Sequence, residues 1–252
     1  MTSNTGDWLR KFQAAPSSEM RLVCFPYAGG AASYYFPLAK SLAPAIEVHA
    51  VQYPGRHDRY REPVIDDINQ LADAVFPAVQ ELTDRPLALF GHSMGAVVAY
   101  EIALRLEDRL GVKPVVLFAS GRRAPSRYRD DDDVHNWSDT QLLAEIQSLE
   151  GTDNAVLQDP ELLRMVLPAL RGDYRAIGTY QHVPGRTVSC PLVTLIGDVD
   201  PKVTLDEARD WERHTSDEFD LRSYSGGHFF LTDHMAGVTE LIQERLNPGA
   251  GA

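Results

Sequence analysis

Residues 91–95 read Gly91-His92-Ser93-Met94-Gly95, a strict G-x-S-x-G, and they constrain the fold more than any other stretch of the chain. An apolar run, Leu87-Ala88-Leu89-Phe90, precedes them, and a helix-compatible stretch, Ala96-Val97-Val98-Ala99-Tyr100-Glu101, follows. Strand, sharp turn carrying a serine, then helix is the order of a nucleophile elbow. So tight a turn is tolerated only if close neighbours of the serine lack Cβ atoms that would strike the strand or the helix. The two glycines meet that condition. The serine Oγ is then left exposed at a helix N-terminus, where the dipole favours developing negative charge.

Strand and helix signals alternate on both sides of the elbow. Strands are expected at 21–26, 46–52, 114–120, 191–196 and near 219–224, and helices at 35–42, 65–82 and 238–246. Ile68, Leu71, Val75 and Val79 place the apolar face of the second helix. This alternation predicts an α/β fold with a mainly parallel, doubly wound sheet. Ligands of such sheets sit beyond the carboxyl ends of the strands.

Between the strands at 114–120 and 191–196, about seventy residues show no strand signal. Ser138-Asp139-Thr140-Gln141 reads as a capping box for a helix carrying Leu142, Leu143, Ile146 and Leu149. Asp159-Pro160 supplies an N-cap and a proline at N1 for a second helix, reaching about Tyr180. Its apolar positions include Leu163, Leu167, Leu170, Tyr174 and Ile177, and Pro168 is expected to kink or split it. The expected organisation is a core of residues 1–121 and 188–252 with a helical lid insertion at 122–187.

A serine nucleophile needs a base and a group to orient that base, and on this type of sheet they follow in the order Ser, acid, His. The strand at 191–196 runs into Gly197-Asp198-Val199-Asp200-Pro201. Asp200 is the expected acid, with Asp198 as the alternative or as a cap of the loop. Gly226-Gly227-His228-Phe229-Phe230 offers His228 on a turn after the last strand. His92 adjoins the serine, but neighbours in an elbow point apart. The tetrahedral oxyanion of acyl transfer needs N–H donors. One is expected from the Met94 amide, and the other, from the loop Pro26-Tyr27-Ala28-Gly29-Gly30, is expected to be the Ala28 amide.

The formal charge of −12 argues against nucleic acid as a partner. No stretch approaches the ~20 apolar residues of a membrane span. Met1–Phe12 holds no apolar run of the kind a signal peptide needs. Cys24 and Cys190 fall in or beside expected buried strands, which fits a reduced, cytoplasmic protein. Asp130-Asp131-Asp132-Asp133 lacks the central Gly and distal Glu of an EF-hand and reads as a solvated loop. Neither metal nor cofactor is expected, and the chain is expected to be a monomer.

Phe25–Gly30, Tyr53-Pro54-Gly55-Arg56, Gly91–Ala96, Gly197–Pro201 and Gly226–Leu231 together resemble the stand-alone type II thioesterases of polyketide synthase and nonribosomal peptide synthetase systems. The resemblance implies an α/β-hydrolase fold with a helical lid. It also implies hydrolysis of aberrant or stalled acyl groups from the phosphopantetheine arm of a carrier protein, acting in trans. The matching serine, aspartate and histidine are Ser93, Asp200 and His228. A small-molecule carboxylesterase or lipase would carry the same triad, whereas a non-catalytic binding protein of this fold would lack a member of it. With 20 Arg against 4 Lys, two arginine clusters are expected to dock the acidic carrier. They are Arg56, Arg59 and Arg61, and Arg122, Arg123, Arg127 and Arg129.

Overall fold

The computed structural model describes residues 5–129, 136–149 and 159–246; Asp130–Asp133 lie outside them. The chain runs α1 (Thr5–Trp8), β1 (Leu9–Arg10), β2 (Met20–Phe25), α2 (Phe36–Leu42), β3 (Ile46–Val51), α3 (Ile68–Gln80), β4 (Leu87–His92) and α4 (Met94–Leu110). It continues through β5 (Leu117–Ser120), α5 (Asp139–Ser148), α6 (Pro160–Thr179), β6 (Leu192–Gly197), α7 (Leu205–Arg209), β7 (Phe219–Tyr224) and α8 (Met235–Leu246).

Seven strands form one sheet in the order β1-β3-β2-β4-β5-β6-β7. Only the two-residue β1 is antiparallel, pairing Leu9 with Val51 at the edge. From β2 the chain steps outward to β3 and then returns past β2 to β4. The strand order therefore reverses between β2 and β4, and the carboxyl ends at such a reversal are where ligands of parallel sheets bind.

Side-chain alternation along the strands explains why both faces are covered. Val23, Phe25, Val51, Leu87, Leu89 and Leu117 face α3 and α4. Leu22, Cys24, Val48, Ala88, Phe90 and Phe118 face α2 and α8. The central strands β4 and β6 are buried throughout, whereas β7, at the edge, exposes Arg222 and Ser223.

Boundaries shift from the expected ones for local reasons. Helix α3 begins at Ile68 because the Asp67 carboxylate accepts the Gln70 N–H at 2.8 Å and caps it. Strand β5 is shorter than expected, although the Val115 N–H still reaches the Leu87 carbonyl at 2.8 Å. The capping box at Ser138 and Gln141 forms in both directions, and Asp159 accepts the Glu161 N–H at 2.8 Å.

Of the two effects expected of Pro168, a split does not occur: α6 runs unbroken from Pro160 to Thr179. Pro168 is exposed, and so is Arg164, whose carbonyl loses its helical partner; water can take that carbonyl while buried Ala169 and Leu170 hold the next turn. Pro77 sits in α3 in the same way, on the exposed side with exposed Asp73 four residues before it.

The insertion between β5 and β6 touches loops at the carboxyl ends of the strands, among them those after β2 and β6. Leu170 of α6 occupies the space where a Cβ on Gly29 would lie, in the loop after β2. Glu145 of α5 pairs with Lys202, in the loop after β6. At its far end the Tyr180 hydroxyl donates to the Glu101 carboxylate of α4 at 2.8 Å, returning the chain to the core.

A histidine pair sits where the insertion joins the core. The ring of His214 lies 4.7 Å from that of His182, and His214 Nε2 is 2.9 Å from Ser126 Oγ. Burial, reinforced by His182, pulls the His214 pKa down to about 4. Between that value and the ordinary ~6.5, the unfolded chain binds a proton that the folded chain refuses, so stability falls as pH falls through this window. From pH 7 to pH 5 the loss from this residue is of order 2 kcal/mol. Replacing His214 by Asn is expected to shrink the drop in Tm between those two pH values; an unchanged drop would refute the assignment.

Candidate active site

Ser93 lies between β4 and α4 with φ 54 and ψ −118, a conformation rare outside glycine. Holding it there costs of order 1–3 kcal/mol, which the surrounding packing must supply. The reason for the flanking glycines is steric. A Cβ on Gly91 would fall 2.1 Å from the Gly95 carbonyl oxygen, and a Cβ on Gly95 would fall 2.0 Å from that of Phe25. The second contact also presses the start of α4 against the end of β2. The serine turn and the loop after β2 thus meet at the reversal point of the sheet.

The loops after β6 and β7 bring the acid and the base together. His228 Nδ1 is 2.9 Å from Asp200 Oδ2, with the Asp200 side chain fully buried and His228 only 4% exposed. A carboxylate oxygen can only accept, so Nδ1 carries a proton, and it is Nε2 that holds the lone pair in the neutral ring. The other Asp200 oxygen accepts the Lys202 N–H at 2.8 Å. Asp198 does different work: its Oδ1 accepts the Gly226 N–H at 2.9 Å and ties the two loops together. His228 stands 5.2 Å, ring to ring, from His92, the residue before Ser93. His92 itself points into the core, with Nδ1 3.0 Å from Ser120 Oγ, and burial holds its pKa well below the usual value, so it stays neutral.

The two expected N–H donors are each turned away from a local backbone acceptor, for two different reasons. Met94 is the first residue of α4, so its amide has no acceptor within the helix. In the loop after β2, the Gly30 N–H donates to the Tyr27 carbonyl at 2.9 Å, and Gly29 has φ +78. That is the pattern of a type II turn. The Tyr27 carbonyl points into the turn, so the Ala28 N–H, across the same peptide plane, points out of it.

Sequence reasoning missed two parts of this site. Tyr27 packs edge-on against Phe229 at 4.8 Å and Tyr34 at 5.0 Å, joining the loop after β2 to the residue beside His228. Asp173 of α6, 1% exposed, reaches the same loop and accepts the Gly29 N–H at 2.7 Å. A signal for it existed: Asp173 stands three residues after Leu170 and four before Ile177, so a carboxylate interrupts the apolar stripe of the helix.

The arginines expected to dock a carrier are largely consumed inside the protein. Arg56 is 7% exposed and forms a two-pronged pair with Asp173 at 2.5 and 2.8 Å. Losing either partner would leave a lone buried charge, which costs about 3–5 kcal/mol. Arg59, also 7% exposed, donates to the Gln52 carbonyl and to Glu62, and stacks over Trp8 at 4.1 Å. Arg123 is 3% exposed and donates to the Arg127 carbonyl, while Arg122 is half-buried. Arg127 pairs with Asp210 and Arg129 with Glu207; Arg61 is exposed and lies against Tyr60. Arg56, Arg59 and Arg123 are therefore too buried to present a guanidinium to a partner, and the forks of Arg56 and Arg59 are spent on carbonyls and carboxylates that fasten the loops at the strand ends.

Residues 20–246 match the family model described as a thioesterase domain. The chain belongs to the thioesterase family. This thioesterase is 50% identical over 250 residues to Thioesterase PikA5 of Streptomyces venezuelae, spanning 99% of this chain and 89% of that protein. It is 35% identical to the gramicidin S biosynthesis protein GrsT of Aneurinibacillus migulanus, over 97% of this chain and 95% of that one. Among solved structures, the type II thioesterase BorB from the borrelidin biosynthetic cluster superposes with a TM-score of 0.89 at 46% identity, covering 98% of this chain and all of that one. The thioesterase is an α/β hydrolase and an acyl-thioester hydrolase. Among the described residues, no group of His, Cys, Asp and Glu could hold a metal ion, and no helix is long and apolar enough to cross a membrane.

Proposed function

We propose that this thioesterase edits in trans, hydrolysing stalled or aberrant acyl groups from the phosphopantetheine arm of carrier proteins in polyketide or nonribosomal peptide assembly. The reading is carried by the hydrogen-bonded His228–Asp200 pair lying beside the strained turn that presents Ser93. His228 Nε2 takes the Ser93 proton as Oγ attacks the thioester carbonyl. The Ala28 and Met94 amides receive the oxyanion. The tetrahedral intermediate collapses, the C–S bond breaks, and the pantetheine sulfur leaves with the proton from His228. Water, deprotonated by His228, then attacks the acyl-serine; the acid departs and Ser93 regains its proton. Asp200 holds the imidazole tautomer and stabilises the imidazolium.

Residues 122–187 serve in this reading as the lid over the site, the core being 1–121 and 188–252. Support comes from the contacts of α5 and α6 with the loops after β6 and β2. The reaction is placed in the cytoplasm, in keeping with the two buried free thiols, Cys24 and Cys190. The substrate class is tested by a head-to-head assay of one acyl group on a phosphopantetheinyl carrier, on free pantetheine and as an oxygen ester. The expected order in kcat/KM is carrier thioester, then pantetheine thioester, then ester. An oxygen ester turned over fastest would point instead to a carboxylesterase or lipase.

A further inference from the structure

The contact between Asp173 and the loop after β2 joins the insertion to the chemistry. The middle peptide of the turn joins the Ala28 carbonyl to the Gly29 N–H, next to the peptide that carries the Ala28 N–H. In this thioesterase the Gly29 N–H ends on Asp173 Oδ2 at 2.7 Å. The same carboxylate takes both prongs of Arg56, and Arg56 Nη1 also donates to the Gly30 carbonyl at 3.1 Å. One buried ion pair thus grips the turn at two consecutive residues. Arg56 is fixed from the core side as well, by its Nε–H to the Pro54 carbonyl at 3.2 Å. Asp173 is the only one of these groups that belongs to the insertion. Leu170, one turn earlier on α6, fills the space beside Gly29, so the seated helix packs directly on the turn.

We propose that Asp173 is a positioning residue for the oxyanion turn, which makes the donor geometry at Ala28 conditional on α6 being seated. With α6 in place, the Gly29 N–H has its acceptor and the turn that carries the Ala28 N–H is anchored at Gly29 and Gly30. With α6 displaced, the Gly29 N–H loses its acceptor, Arg56 loses its counter-charge, and the turn is released from that anchor, so the position of the Ala28 N–H is no longer fixed. Hydrolysis is then fast only when the insertion is closed over the acyl group. The inference rests on the reading above, in which the Ala28 amide receives the oxyanion.

Two charge-free pairs separate positioning from mere stability. Arg56→Gln with Asp173→Asn keeps an amide oxygen to accept the Gly29 N–H. Arg56→Met with Asp173→Leu fills a similar volume without that acceptor, and neither pair leaves a lone buried charge. Both are assayed for kcat and KM on an acyl-phosphopantetheinyl carrier, with melting curves recorded alongside. The expected result is a kcat at least tenfold lower for the Met/Leu pair than for the Gln/Asn pair, with KM values within about twofold; losing an oxyanion donor outright costs about 10²–10³. A smaller kcat ratio, or a difference confined to KM, would overturn the inference. If the Met/Leu pair does not fold, Arg56→Gln with Asp173→Ala replaces it under the same criterion. Ser93→Ala and wild type run as controls: a wild type without activity, or an active Ser93→Ala, would instead defeat the underlying reading.

Discussion

Replacing Ser93 by alanine is expected to lower kcat on an acyl-carrier thioester by about 10⁶, the scale seen when the nucleophile of a serine triad is removed. Alanine takes away the attacking oxygen and little else. The Ser93 side chain makes no capping bond to α4, so the helix loses no partner, and the turn stays as strained as before. Carrier affinity and Tm should therefore hold while turnover collapses. Burst kinetics give the second half of the test: wild type should release pantetheine thiol in a burst equal to enzyme concentration, and the variant should show none. A variant that kept even a hundredth of wild-type turnover would require another nucleophile.

The second large effect is expected at Asp200, where asparagine should cost about 10⁴ in kcat with the fold intact. The structure supplies the reason. One Asp200 oxygen accepts the Lys202 N–H and the other faces His228 Nδ1. An asparagine that keeps the first bond must turn its NH₂ toward Nδ1. That nitrogen would then have to accept, moving the ring proton to Nε2, where the base needs a lone pair. Asp198→Asn is the matched control, because Asp198 engages the Gly226 N–H and not the imidazole. It should cost tenfold or less, since an amide oxygen can accept that same bond. Equal losses at 198 and 200 would mean that loop integrity, not the tautomer, limits the rate.

The parts of the site that could be read in the sequence are those fixed by local rules. The elbow is legible because its glycines answer a clash within five residues. Asp200 and His228 are legible because turns at strand ends occur at known places in a parallel sheet, and chain order supplies the roles. Asp200 could be preferred over Asp198 from the sequence, but the physical reason is structural: both carboxylates stand on one short loop and differ in which backbone or ring they meet. Arg56 was misread for a related reason. Its partner, Asp173, lies 117 residues away, and a charge written on a loop says nothing about whether the fold turns it inward. That Pro168 would leave its helix unsplit was not legible, because a proline's effect depends on whether the freed carbonyl can find water, and burial on one side of a helix is a tertiary fact.

Two of the ion pairs that fasten the insertion to the core bear on how such enzymes can be recombined. Glu145 and Asp173 are encoded within residues 122–187, but their partners Lys202 and Arg56 are encoded in the core, one on either side of it in the chain. Exchanging that segment between relatives to alter acyl preference is therefore not a matter of two clean junctions. A donor segment without a carboxylate at the position of Asp173 would bury the host's Arg56 alone, and a working chimera would have to carry residues 56 and 202 along with the transplanted helices.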